Sequence, residues 1–225
     1  MSSNGYQISK TLGLSEGDRV LSILKRAGQD IPSHKYLFEG LSTTVEEAFF
    51  QSELGPITDR SLGRSAQSGS EFWTSKTDGK IQSIMAFVYP QNSKSYDHQA
   101  FKNSCAQRMW SGFPDHKKSW IVYESGPKCS VLESTIGFPT EEAIEIKLLA
   151  TDPEARRQGH AKALLTELKA ESRKSGTPIW LIAHNEEAVQ MYRDLDFQKT
   201  GSVDVDIEEG SATMTAFTYN PATQE

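Results

Sequence analysis

The stretch Ile144 to Leu168, IEIKLLATDPEARRQGHAKALLTEL, limits the fold more than any other part of the chain. Its first part reads as a buried strand, Glu141 to Thr151, which breaks at Asp152-Pro153. Its last part restarts with helical spacing, Ala161, Leu164, Leu165 and Leu168 sharing one face of a helix that Gly176 and Pro178 stop near Ser175. Between them lies Arg156-Arg157-Gln158-Gly159-His160-Ala161. Backbone can wrap an anion only where side chains leave room, so small residues at Gly159 and Ala161, flanked by cations and leading into a helix N-terminus, predict an anion-binding turn.

Elements on either side extend the reading. Tyr6 to Leu12 is a weak strand; Ser15 with Asp18 opens a helix running to about Gly28, and Thr44 with Glu47 opens a shorter one. Thr58 to Ser70 is a loop, Asp97 to Met109 a possible helix and Trp120 to Glu124 a possible strand. Two β-prone runs, Glu71 to Thr77 and Lys80 to Tyr89, flank Asp78-Gly79 as a hairpin. Ile179 to Ala183 is a central strand. Asn185 caps a helix to Leu195 whose inner face is Ala188, Val189, Tyr192 and Leu195, and Phe197 to Val205 and Ala212 to Tyr219 close the fold. At 225 residues one domain, 1–225, is the default.

Charge and cysteine content narrow the function classes. A balance of 24 Lys and Arg against 30 Asp and Glu, net −6, argues against broad nucleic-acid or anionic-membrane binding. Cys105 and Cys129 make no disulfide framework, and no Cys or His pair has zinc-ligand spacing, so no metal is expected. No segment approaches the roughly 18 consecutive apolar residues of a membrane helix, and MSSNGYQISK has no apolar stretch after a basic region. These features predict a soluble, cytoplasmic chain.

In order, Leu149-Ala150-Thr151, Pro153, Arg156-x-x-Gly159-x-Ala161, Leu164-Leu165 and then Asn185, Met191-Tyr192 and Phe197 resemble the GCN5-related N-acetyltransferase (GNAT) family. The resemblance covers Glu141 to Phe197 and departs at Ala161, where a second glycine is commoner, and at Asp196, where a glycine usually precedes the aromatic. Gln91 to Thr140 has no standard counterpart in it and reads as an insertion. It implies a mixed α/β (α+β) fold whose central, mostly antiparallel twisted sheet has a splayed strand pair and flanking helices. The co-substrate would be acetyl-CoA. Arg156, Arg157, Gln158, Gly159, His160, Ala161 and Lys162 would hold its pyrophosphate, Leu149, Ala150 and Thr151 its pantetheine arm through their main chain, and Asn185 would touch it.

The implied chemistry is direct acetyl transfer to a primary amine, with a backbone N–H near Leu149 or Ala150 steadying the oxyanion and Tyr192 protonating the departing thiolate. An alkyl ammonium of pKa about 10.4 must also lose protons. Glu145 stands where the histone-acetylating branch of the family places its glutamate; Glu141, Glu142 and His184 are further candidates. A small-molecule amine, a metabolite or xenobiotic, is the expected acceptor, with a monomer or homodimer as the assembly. Acetylation of a protein lysine or N-terminus, and a non-catalytic acyl-CoA sensor, are the alternatives.

Overall fold

A computed structural model of the chain describes residues 5–10, 16–54, 70–90 and 110–223. The loop expected at Thr58 to Ser70, apart from Ser70 itself, and the helix expected at Asp97 to Met109 lie outside the described residues. Seven strands form one sheet in the order β1-β2-β3-β4-β5-β7-β6: β1 Gln7–Ser9, β2 Ser70–Thr77, β3 Lys80–Val88, β4 Ile144–Thr151, β5 Ile179–Ala183, β6 Gln198–Ile207 and β7 Gly210–Tyr219. Every neighbouring pair is antiparallel except β4 and β5, which run parallel. The Asp78-Gly79 link turns with positive φ at both residues, 51° and 73°, as a two-residue hairpin requires.

Strand periodicity sends alternate residues to two apolar layers. On one face Trp73, Met85, Phe87, Ile144, Ile146, Leu181 and Phe217 pack beneath α6, His160–Ser175, and α7, Glu186–Arg193. On the other, Phe72, Ile84, Ala86 and Ala150 pack beneath α1, Gly17–Gly28, and α3, Thr43–Leu54. Between α1 and α3 lies α2, Pro32–Phe38, which the apolar pattern alone did not predict; its one local signal is Pro32 in the first turn. Ser15, read as a helix cap, lies outside the described residues, and α1 follows Glu16.

Trp120 to Glu124, expected as a strand, is helical. It joins α4, Asp115–Trp120, to α5, Gly126–Ser134, through one π turn, Ile121–Ser125, without leaving right-handed backbone. The β-prone run Ile121-Val122-Tyr123 is overruled by anchors along the rod. Trp120 Nε1 donates to the Asp206 carbonyl at 2.5 Å and Lys128 to the Asp204 carbonyl at 2.5 Å. Leu132 is buried against Val205, Met214 and Ala216, while Phe113 packs with Leu37 of α2 and Val45 of α3. Lys117, buried, donates to the Tyr36 and Glu39 carbonyls and so ties α4 to the end of α2. Among the described residues, no helix is long and apolar enough to cross a membrane.

Candidate active site

The parallel pair β4 and β5 is joined only at its start. Ile144 pairs with Ile179 and Glu145 with Trp180; beyond them β4 runs on to Thr151 and β5 to Ala183 with no ladder between them. One residue of β4 causes the change of direction. Phe87 faces Ile146 but Ala86 faces Leu148, so Lys147 is a bulge, which bends and twists the strand locally. The result is a fork closed at Glu145 and open toward the turn.

Backbone direction inside the fork follows from the other edge of β4. The Asp152 N–H donates to the Gln82 carbonyl at 2.8 Å, and the Ala150 carbonyl accepts from Ser83 Oγ at 2.8 Å. Both residues therefore face β3. By alternation Leu149 and Thr151 direct their N–H and C=O groups into the fork. Of the two residues expected to supply an oxyanion donor, Leu149 has that direction; Ala150 is turned away.

Past Thr151 the chain is held rigidly. Asp152, 1 % exposed, accepts from the Glu154 N–H at 3.2 Å and from the guanidinium groups of Arg19 and Arg26 on α1. Burial opposes its ionisation, but the Glu154 N–H and Arg19 and Arg26 together hold its carboxyl below the usual range. The turn then passes Arg157 at φ 60° and Gly159 at φ 89°, the left-handed residue that caps α6. A Cβ on Gly159 would lie 2.9 Å from the Tyr6 hydroxyl, which donates to the Gln158 carbonyl while the Tyr6 ring lies 4.8 Å from that of His160.

The predicted turn residues separate into two sets. Arg156 is turned toward α1, bound to Asp30 at 2.6 Å, and His160 points inward, its Nδ1 2.9 Å from Ser75 Oγ and its imidazole pushed down by burial. Arg157 and Lys162 are exposed, with Arg157 only loosely near Glu187 at 3.8 Å. A 16-residue helix that starts after a left-handed glycine, with the exposed cations Arg157 and Lys162 on either side of that start, fits a phosphate group. Tyr6, Arg19, Arg26 and Ser75 support this turn, and nothing in their local sequence marks them.

Asn185 Oδ1 accepts from the Ala188 N–H at 2.7 Å, the expected helix cap. Tyr192 is buried between Phe197 and Phe217, at centroid distances of 5.5 and 5.6 Å, and burial pushes its phenol well above the ordinary value. Glu145, at the closed end of the fork, accepts from the Lys147 ammonium. Glu141 and Glu142 lie in a 3₁₀ turn ahead of β4, away from the fork's open side. Asp196 takes φ 62° where glycine is usual, and buried Lys169 holds the strained turn by donating to Asp196 Oδ2 at 3.2 Å and to the Leu195 carbonyl.

His184, directly after β5, meets a residue the sequence did not single out, His34 of α2; their ring centroids are 6.1 Å apart. Burial lowers His34 to about 3, with His184 adding a smaller push, and lowers His184 to about 4. Both folded values lie below the ordinary 6.5, so as pH falls the unfolded chain binds protons first and stability drops from about pH 6.5 down to those values. Urea midpoints measured between pH 7 and 4 should fall with a slope contribution approaching about two protons, and the double substitution H34Q/H184Q should remove it. An unchanged slope in the variant would assign the acid sensitivity to other groups.

A splayed parallel pair at the centre of an otherwise antiparallel sheet, leading into the Gly159 turn and the N-terminus of α6, is the N-acetyltransferase arrangement that the sequence resemblance implies. The chain belongs to the GNAT acetyltransferase family: the family model described as "Acetyltransferase (GNAT) domain" matches residues 88–211. No curated protein matches it in sequence. Solved structures match across nearly the whole chain. One is the histone acetyltransferase HPA2 and related acetyltransferase from Corynebacterium glutamicum, at 13% identity and TM-score 0.61, covering 97% of this chain and 98% of that one. Another is an agmatine N-acetyltransferase in its apo form, at 11% and 0.61, covering 96% and 99%. A third, yncA from Salmonella typhimurium, solved with its cofactor acetyl-CoA, has 13% identity and a TM-score of 0.52, covering 97% and 95%. At these identities the likeness is one of fold.

Proposed function

We propose that the chain transfers the acetyl group of acetyl-CoA directly to the primary amine of a small molecule. The observation that carries this reading is the fork: along it Leu149 and Thr151 direct backbone groups that have no ladder partner among the described residues, and it leads straight to Gly159 and the N-terminus of α6. Backbone N–H groups of the turn, with Arg157 and Lys162, bind the pyrophosphate; Asn185 and the edge of β4 guide the pantetheine arm. When bound, acetyl-CoA supplies the activated acyl carbon.

The chain's own residues then act on geometry and protons. The Leu149 N–H donates to the carbonyl oxygen as negative charge grows there. Tyr192 gives its proton to the departing sulfur, and its raised pKa keeps it protonated over the neutral range. Glu145, paired with Lys147 at the closed end, adds negative potential that draws a cationic acceptor toward the fork.

A small acceptor is favoured by what covers the sheet on the side of α1 and α3. There α1, α2 and α3 wall a cavity of about 330 Å³, at the lower end of the range of small-molecule sites, and the α4–α5 rod is fastened to α2 by Lys117. The alternative, a protein lysine or N-terminus, has Glu145 in its favour. Thiol release from acetyl-CoA, followed against a panel of small amines and of basic peptides, tests the reading. Turnover with small amines supports it, peptide preference replaces the acceptor class, and tight acetyl-CoA binding without turnover on either class would leave a sensor.

A further inference from the structure

Two histidines meet between the end of β5 and α2, and each has a buried nitrogen without a partner among the described residues. His184 follows Ala183, the last residue of β5, and stands at the fork's open end. His34 lines the cavity from α2, together with Lys25, Gly28, Phe38 and Glu46. The Nδ1 atoms of both imidazoles are buried and unbonded among the described residues. A buried polar nitrogen gives up its water for nothing in return, so two at one place ask for a function.

The surroundings keep both rings uncharged. Phe38, Phe49 and Phe50 pack around His34 at centroid distances of 5.9, 6.0 and 6.4 Å. Of the charged groups at the cavity, Lys25 is bound to Glu47 at 2.8 Å, Lys35 and Glu39 are exposed, and burial holds the Glu46 carboxyl above its usual range. None of them forms an ion pair with either imidazole. A neutral imidazole offers a lone pair, and a pair of them can hand a proton from one to the next.

We propose that His34 and His184 together receive the acceptor amine at the fork's open end and take up the proton that its nitrogen loses in the tetrahedral adduct. The proposal rests on the acetyl-transfer reading above. An ammonium loses one proton before attack; its nitrogen lone pair then forms the C–N bond, and the nitrogen of the tetrahedral adduct loses a second proton as the C–S bond breaks. The first proton is shed to water before attack; the second is taken by the imidazole pair and released to cavity water. The sulfur receives the proton of Tyr192, which Tyr192 recovers from solvent, so one proton net is released. Nitrogen in the adduct is far more acidic than the parent ammonium, so weakly basic imidazoles suffice for that second transfer, and neither histidine stays charged between turnovers.

The test uses the full chain and its variants H34Q, H184Q and the double substitution. Thiol release is measured with an alkyl amine and with a weakly basic aromatic amine that enters already uncharged, and acetyl-CoA affinity is measured by calorimetry. Each single variant should lose on the order of a hundredfold in kcat with the alkyl amine, the scale of positioned acid–base catalysis. The double variant should lose little more, because the two act as one unit. Loss with the aromatic amine should be of the same order, because its adduct must shed the same proton, and acetyl-CoA affinity should be unchanged. Wild-type rates in the variants, or a loss accompanied by weaker acetyl-CoA binding, would overturn the proposal.

A second substitution guards against misfolding of the histidine variants. Gly28→Ala places a methyl 3.1 Å from His34 Nδ1 at the end of α1, where alanine favours helix. It should keep the melting temperature and still lower turnover with the alkyl amine by up to about tenfold, the worth of one hydrogen bond; full activity counts against His34. If the wild-type chain releases no thiol with any acceptor, the acetyl-transfer reading falls and takes this proposal with it. If the wild type is active and every variant equals it, the histidine pair alone falls.

Discussion

Gly159→Val should weaken acetyl-CoA binding by at least about a hundredfold while leaving a folded protein. Two effects combine. A β-branched residue is strained at φ 89°, where an L side chain costs roughly 1–2 kcal/mol, and its Cβ would meet the Tyr6 hydroxyl at 2.9 Å, so the turn must move. A moved turn misaims the N–H groups at the start of α6, and hydrogen bonds to a charged group are worth about 1.5–3 kcal/mol each. The hundredfold figure corresponds to about 2.8 kcal/mol, within that sum. Calorimetry with acetyl-CoA, alongside a melting curve to confirm folding, reads the effect; unchanged affinity would sink the assignment of this turn to phosphate.

Tyr192→Phe should behave in the opposite way, lowering kcat by about a hundredfold or more with little change in acetyl-CoA affinity. Phenylalanine keeps the ring packed against Phe197 and Phe217 and removes only the hydroxyl, so the fold has no reason to change. Since burial raises the phenol above its ordinary value of 10.0, no loss of wild-type rate below pH 10 should trace to Tyr192 deprotonation. Equal turnover in variant and wild type would remove Tyr192 from the reaction and leave it as a core aromatic, which its burial alone would also explain.

How much of this could be read from sequence depends on how local the cause is. The hairpin at Asp78-Gly79, the cap at Asn185 and the stop at Gly176 are settled by neighbouring residues, and the structure has all three where the sequence puts them. So is the strand–turn–helix from Ile144 onward. The α4–α5 rod was misread because Ile121-Val122-Tyr123 has strand propensity, and its helical state depends on Asp204 and Asp206, distant in sequence. The fork is legible as a family trait, but its cause, the one-residue bulge at Lys147, depends on register with β3.

The candidate site divides along the same line. Gly159, Arg157 and Lys162 announce themselves by spacing, whereas Arg156 and His160 carry the same sequence signal and are turned to Asp30 and Ser75. Tyr6, Arg19 and Arg26 reach the turn from far along the chain. His34 was hidden because α2 was hidden: without that helix, a histidine after Pro-Ser has no address in the fold.

Helix α1 touches both halves of the molecule's business. Arg19 and Arg26 grip Asp152, Asp30 and the Ala27 carbonyl hold Arg156, and the same helix presents Lys25 and Gly28 to the cavity beside His34. It is therefore a crossbeam: a shift of the turn on one side is delivered as a shift of the wall on the other. Thermodynamics makes such a beam work in both directions, so any amount by which the donor tightens the acceptor's hold must be returned by the acceptor to the donor.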